Sequence, residues 1–253
     1  MELGVRSNGV VGDGLEEKMA IVKELGYDFL ELALSDDEVE NMTLKDHDKY
    51  RTAAERTGCP IRQTSIGHLV NLGERSESER QRLEQHLLRV IDLTHAVGGD
   101  VVLVAVAESS DDIAALLPSY QSILASPAEY AQEHGVVLAL EAIRQWPPSV
   151  LDGLVRRLDH HAIAMYYDMG NCVSGGEDPV EEVKRSADIT AAIHIKPAGG
   201  GVVDDMPLME ILEILEKSAF SGRGCLEISP KDESNQHLVD ALQVLRSVGY
   251  QRD

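Results

Sequence analysis

The sequence predicts an eight-stranded (βα)8 barrel, an α/β fold, filling residues 1–253 as a single domain. Three observations predict it. Short apolar or β-branched runs alternate with longer stretches of helical period, the alternation repeats eight times from end to end, and 253 residues suit one such barrel. Strands alternating with helices imply parallel strands joined by right-handed crossovers. An open doubly wound sheet is the competing arrangement. No GxGxxG follows the first strand and no GxxxxGK[ST] occurs, so its nucleotide-binding versions lose their main support.

In chain order the strands read as residues 2–6 (ELGVR), 28–34 (DFLELAL), 60–66 (PIRQTSI), 100–106 (DVVLVAV), 136–142 (VVLALEA), 162–168 (AIAMYYD), 191–196 (AAIHIK) and 224–229 (GCLEIS). Most are too short to be helices. After the first strand, Leu15, Met19, Val22 and Leu25 share one face of a helical stretch that Gly26 stops. The same logic applies from Glu77 to Val97 before Gly98-Gly99, from Tyr120 to His134 before Gly135, and from Leu208 to Ala219 before Gly222. Each reads as a helix closed by a glycine suited to a left-handed C-cap. No Pro- or Ser-rich linker marks a second domain.

A hydrophobic fraction of 43% and a charged fraction of 26% describe a globular chain with enough apolar material for one substantial core. The 44 acidic and 23 basic residues leave a net charge of −21, which repels a phosphate backbone, so no nucleic-acid partner is expected. Cys59, Cys172 and Cys225 are too scattered for a CxxC motif or a disulfide framework, which fits a reducing cytoplasm. No secretory leader and no run of roughly 20 apolar residues is read, so secretion and membrane insertion are not expected.

Polar residues at the C-terminal edges of the apolar runs are the candidates for chemistry, because a parallel barrel builds its site there. Glu141 ends the fifth run, Asp168 the sixth, His194 sits in the seventh and Glu227 follows Gly224-Cys225-Leu226 in the eighth. Carboxylates in such settings are costly unless paired or bound to a cation. Taken singly, each has a plain explanation: Glu141 pairing with Arg144, Glu227 with Lys196 or Arg62, His194 a core histidine, Asp168 a turn residue. Together, one ligand-type residue at like depth on four successive strands points to one divalent ion. The mixed oxygen and nitrogen set suits Mn, Mg, Co or Zn.

These residues resemble the xylose-isomerase-like sugar (phosphate) isomerase/epimerase superfamily of TIM barrels. The resemblance spans nearly the whole chain. It rests on Leu140-Glu141, Tyr167-Asp168-Met169-Gly170-Asn171, His194-Ile195-Lys196 and Leu226-Glu227, on Ser65-Ile66-Gly67-His68, which looks like a Ser-Gly-His turn after the third strand, and on Gly26-Tyr27-Asp28-Phe29-Leu30-Glu31. It implies that Glu141, Asp168, His194 and Glu227 hold one divalent ion while Glu141 and Glu227 also move protons, interconverting a small ketose, sugar phosphate or keto-acid through a metal-stabilised enediolate. Asn171 stands where the family often has a histidine, so a second metal is not expected. The His-x-His of the apurinic endonuclease branch is missing at the seventh strand, which argues against DNA repair.

Secondary contacts to a polyhydroxylated substrate are expected from His68, Arg144, Asn171 and Lys196. For His68 a capping or core role is the plain alternative, and for Lys196 and Arg144 it is pairing with the site carboxylates. Trp146 offers an apolar wall or ordinary packing, and Gly199-Gly200-Gly201 a phosphate cradle or a plain loop. A dehydratase of an inosose or a dehydroshikimate on the same scaffold is the competing activity. A non-catalytic sugar-binding barrel is the other, and intact Glu141 and Glu227 speak against it. Homo-oligomer formation is left open.

Overall fold

A strand sends successive side chains to opposite faces, so each apolar run here must serve both a barrel interior and a helical coat. The computed structural model describes residues 1–250 apart from Gly201, Ala219 and the side chain of His68. Its elements are β1 (Leu3–Arg6), α1 (Leu15–Leu25), β2 (Phe29–Ala33), α2 (Asp36–Glu40), α3 (Leu44–Thr57), β3 (Ile61–Val70), α4 (Glu77–Ala96), β4 (Val101–Ala107), α5 (Ile113–Glu133), β5 (Val137–Ala142), α6 (Pro148–Leu158), β6 (Ile163–Asp168), α7 (Met169–Ser174), α8 (Pro179–Ser186), β7 (Thr190–Ile195), α9 (Leu208–Lys217), β8 (Arg223–Leu226) and α10 (Gln236–Ser247). The strands form a closed parallel barrel in chain order, sealed by β1 on β8 through Leu3↔Gly224, Gly4↔Cys225 and Val5↔Leu226.

The two faces separate cleanly. Leu30, Leu138, Leu140, Tyr167, Ile193, Ile195 and Leu226 join the main apolar core with helix residues such as Met19, Val22, Val90 and Leu154. The interior is a small second cluster of Val101, Leu103, Ala105, Ala139, Tyr166 and Ala192. Small residues there make room for rings. At Gly4 any Cβ would lie 2.3 Å from the Phe29 ring, so only glycine lets that ring cross the barrel. The inward positions two residues further along the strands are Glu141, Asp168 and His194, and Glu227 stands two beyond Cys225 just past β8.

Besides β8, which stops at Leu226 rather than at residue 229, element ends differ from expectation in three places. Gly26, Gly98 and Gly135 do take left-handed φ values of 93°, 78° and 66°. Gly222 does not: α9 stops at Lys217, its carbonyls meeting the Ser218 N–H, and a Cβ on Gly222 would come 2.0 Å from the Ala191 carbonyl oxygen, so this glycine permits close approach of backbone. The helix expected from Tyr120 starts at Ile113, because the Asp112 carboxylate accepts from the Ala114 and Ala115 N–H groups. Third, β3 runs four residues past 66. A bulge between Ile66 and His68 absorbs Gly67 and lets pairing continue to Val70↔Ala107, so the expected turn at Ser65-Ile66-Gly67-His68 is strand.

Gly201 of the expected glycine loop and Ala219 of the expected helix lie outside the described residues; Ala198–Gly200 forms a 3-10 turn. Cys59, Cys172 and Cys225 are free and buried. Among the described residues no helix is long and apolar enough to cross a membrane.

Candidate metal centre

Four ligand-type side chains converge because β5, β6 and β7 end, and β8 leads, at the same height of one barrel mouth. Asp168 pairs in register with His194, and Ala105, beside the mouth, pairs with Glu141. Glu141, Asp168, His194 and Glu227 each offer one ligand atom, and all four atoms lie within 4.8 Å of one another. His194 Nδ1 is the hub, 2.9 Å from Glu141 Oε1, 3.2 Å from Glu227 Oε2 and 3.5 Å from Asp168 Oδ2.

This donor set fits a divalent cation. Asp168 Oδ2 is buried without a hydrogen-bond partner, which is what a metal ligand looks like before its ion is counted, and three carboxylates with one imidazole suit a hard or borderline ion. Charge agrees. Glu31, Glu141, Asp168 and Glu227 are four carboxylates, against which stand two fixed cations, Arg6 and Lys196. The remaining two charges equal those of one divalent ion.

The two glutamates sit in unlike company. Burial pushes the Glu141 carboxyl up to about 7, with Asp168 and Glu227 adding to the rise and His194 opposing it. Burial acts the same way on Glu227, but His194, Arg6 and Lys196 outweigh it and hold that carboxyl well below the usual range. Arg6 Nη1 donates to Glu227 Oε1 at 2.5 Å and Lys196 Nζ to Glu227 Oε2 at 2.9 Å. His194 is raised well above its ordinary value, because Tyr166, Glu31, Glu227 and Glu141 surround it and overcome the opposing effect of burial.

The mouth above this cluster is a cavity of about 680 Å3, lined among others by Glu141, Glu227, Arg144, Asn171, Lys196 and Asp36. That is the size range of small-molecule sites. Asn171 is held on both sides: its Nδ2 donates to Ala142 O at 3.1 Å and lies 3.4 Å from Glu141 Oε1, while its Oδ1 accepts from Lys196. Arg144 and Gln145 both have left-handed φ, 56° and 65°, a strained turn that carries Arg144 to the rim. The same turn buries Trp146, whose Nε1 donates to Ser110 O at 3.2 Å, so the indole packs in the core. His68 has its backbone in β3, and its side chain is outside the described residues.

The pairings differ from the plain alternatives. Glu227 takes Lys196, as one of them supposed, together with Arg6, while Arg62 instead reaches the Gly98 carbonyl. No ion pair joins Glu141 to Arg144 among the described residues. A second tier had been given no role: Glu31, Gln63, Tyr166 and Cys225 lie beneath the four candidate ligands, and Arg6 reaches from beside Glu31 up to Glu227 at the mouth. The signal was present, because Glu31 is the one charged residue in Phe29-Leu30-Glu31-Leu32-Ala33 and is fully buried.

Comparison with known proteins agrees with the architecture. The family described as xylose isomerase-like TIM barrel matches residues 19–248. The chain is similar to the Escherichia coli (strain K12) protein named "Putative L-ribulose-5-phosphate 3-epimerase SgbU", at 24% identity over 97% of this chain and 94% of that one. Among solved structures it resembles the 3-keto-D-glucoside 4-epimerase YcjR of E. coli, with a TM-score of 0.80, 17% identity, and 98% and 99% of the two chains covered. It also resembles a xylose isomerase-like TIM barrel protein of Mycobacterium smegmatis in complex with magnesium, with a TM-score of 0.75, 16% identity, and coverage of 98% and 97%. At such identities the two structures speak for the fold alone.

Proposed function

The chain belongs to the xylose isomerase-like TIM barrel family, and from that premise we propose that it is a divalent-metal-dependent isomerase or epimerase of a small ketose, sugar phosphate or keto-acid. The observation that carries this reading is the pair Glu141 and Glu227. Both face one cavity beside one donor set, in environments that give them opposite tendencies to hold a proton. Unequal carboxyls at one site are how a fold supplies an acid and a base together at neutral pH.

Glu141, Asp168, His194 and Glu227 would hold the ion, whose Lewis acidity would make the hydrogen next to a substrate carbonyl easier to remove. Glu227, kept ionised by Arg6 and Lys196, takes that proton, and an enediolate forms. Glu141, through a carboxylate oxygen that the ion would leave free, would return a proton drawn from solvent, and Glu227 would release its own to solvent, so that protons balance over a turnover. Delivery to the same carbon from the other face gives the epimer; delivery to the neighbouring carbon gives the isomer. Asn171 holds the Glu141 carboxylate and the Lys196 ammonium apart, and Arg144 on the rim meets a distal hydroxyl or anionic group of the substrate. Partners are therefore small polyhydroxylated molecules and not nucleic acids.

Incubating Mn2+-loaded protein with free and phosphorylated ketoses in D2O tests this. Deuterium entering the carbon beside the carbonyl, without loss of water, is expected. Glu227→Gln and Glu141→Gln should each lower turnover about 10²- to 10⁴-fold, the usual worth of a positioned acid or base. An ultraviolet-absorbing unsaturated product would assign a dehydratase instead, and full turnover in Glu227→Gln would remove the proton-transfer role.

A further inference from the structure

Beneath the metal centre lies a fully buried carboxylate that no step above uses. Glu31, in the middle of β2, places both carboxylate oxygens 3.3 Å from His194 Nε2, on the side of the ring away from the other three ligands. Its Oε2 also lies 2.8 Å from the Tyr166 hydroxyl, and the Arg6 Nε stands 3.5 Å from its Oε1. The Tyr166 ring packs against the imidazole, their centroids 4.5 Å apart. A buried carboxylate costs several kcal/mol of desolvation, about the worst choice for an inert filler between apolar neighbours. Something must use its charge.

Resting on the reading of a metal centre, we propose that Glu31 is a positioning residue: it accepts the Nε2 proton of His194, fixes the tautomer that leaves the Nδ1 lone pair free for the ion, and strengthens that nitrogen as a donor. A neutral imidazole has one N–H and one lone pair, so whichever nitrogen is tied to an acceptor decides which one can ligate. Only Nδ1 faces Glu141, Asp168 and Glu227, and only Nε2 faces Glu31.

Tyr166 completes the device. Its single proton goes to Glu31, the only charged acceptor in reach among the described residues. The Gln63 side-chain amide, 2.9 Å from the same hydroxyl, then belongs with its NH2 toward the phenol oxygen, an orientation that also gives the otherwise unpartnered Nε2 an acceptor. Gln63 and Tyr166 so form one directed chain of donors that ends on the Glu31 carboxylate, which His194 Nε2–H meets from the other side. A second ion between Glu31, His194 and Cys225, whose ligand atoms also lie close together, is disfavoured, because the Glu31 oxygens and His194 Nε2 are already engaged with each other, with Tyr166 and with Arg6.

The full-length protein, stripped with chelator, is titrated with Mn2+ by calorimetry as wild type, Glu31→Gln and Tyr166→Phe. Glu31→Gln should bind about 10- to 100-fold more weakly, the usual effect of losing such a partner, and Tyr166→Phe less so. The tautomer is read in 15N-histidine-labelled wild type loaded with Zn2+, where the ring that shifts on metal addition should keep a protonated Nε2 and ligate through Nδ1. In Tyr166→Phe, which leaves His194 Nε2–H as the stronger claim on Glu31, the Nε2–H signal should shift from its wild-type position, a change that a purely structural role for Glu31 would not produce. Ligation through Nε2 overturns the proposal, and so does unchanged Mn2+ affinity in Glu31→Gln. Should Glu31→Gln fail to fold, the wild-type tautomer and Tyr166→Phe decide. A wild type that takes up no ion overturns the metal-centre reading itself; a wild type that binds while Glu31→Gln binds equally overturns this inference alone.

Discussion

His194 and Glu141 are where protons and the proposed divalent ion would compete for the same atoms. Both hold their protons more firmly than ordinary residues of their kind, His194 because carboxylates ring it and Glu141, pushed up to about 7, because it is buried beside Asp168 and Glu227. A ligand must shed its proton to bind metal. The sign follows: raising pH through neutrality removes the competitor, so Mn2+ affinity should climb between about pH 6 and pH 8, and binding near pH 7 should release about one to two protons. Calorimetric titration in two buffers of different ionisation enthalpy measures that release. Binding without proton release would mean that the ion sits elsewhere.

Strands were the most legible elements because each combines an apolar run with a turn at either end; all eight start within a residue of expectation, and their ends agree as closely except at β3, which runs four residues further, and β8, which stops three residues earlier at Leu226. The expected third strand ends at Ile66 because Ser65-Ile66-Gly67-His68 looks like a turn, and only the pairing with β4 shows that a bulge absorbs Gly67. The four ligands were legible for the same reason as the strands: each is a polar residue at an apolar run's edge. Glu31 escaped that rule by sitting mid-strand, and Tyr166 by reading as one of two adjacent aromatics, although period two sends it inward and Tyr167 outward. Glycines were misread where sequence cannot distinguish a left-handed cap from a close approach. Gly98 has φ 78° and open space around a would-be Cβ, so Gly98→Ala should cost about 1 kcal/mol. Gly222 has no such φ, but a Cβ added there would lie 2.0 Å from the Ala191 carbonyl oxygen, and backbone cannot swing away, so Gly222→Ala should cost more, about 2–3 kcal/mol. Chemical denaturation of the two variants checks the order; an equal cost would show that β7 and β8 part easily there.

Over the whole molecule, the proposed ion would join elements that are distant in sequence. Its four ligands come from β5, β6, β7 and the end of β8, while Glu31 on β2 ties His194 to Arg6 on β1 and, through Tyr166, to Gln63 on β3. The barrel's seam lies between β1 and β8, each only four residues long, and Arg6 to Glu227 spans it at the mouth. Binding to the folded state alone at a hundred times Kd should add about 2.7 kcal/mol, and at about 2–4 °C per kcal/mol for a chain near this size the melting temperature should rise by about 5–10 °C. The net charge of −21 complicates the experiment, since any divalent ion at high concentration screens an acidic surface and stabilises it non-specifically. Asp168→Asn separates the two effects: it removes one ligand and changes the total charge by a single unit. Scanning fluorimetry with Mn2+ at micromolar levels should therefore show the rise in wild type, its reversal by EDTA, and little of it in Asp168→Asn. Equal rises in both proteins would place the stabilising ions on the surface and leave the barrel mouth without a metal role.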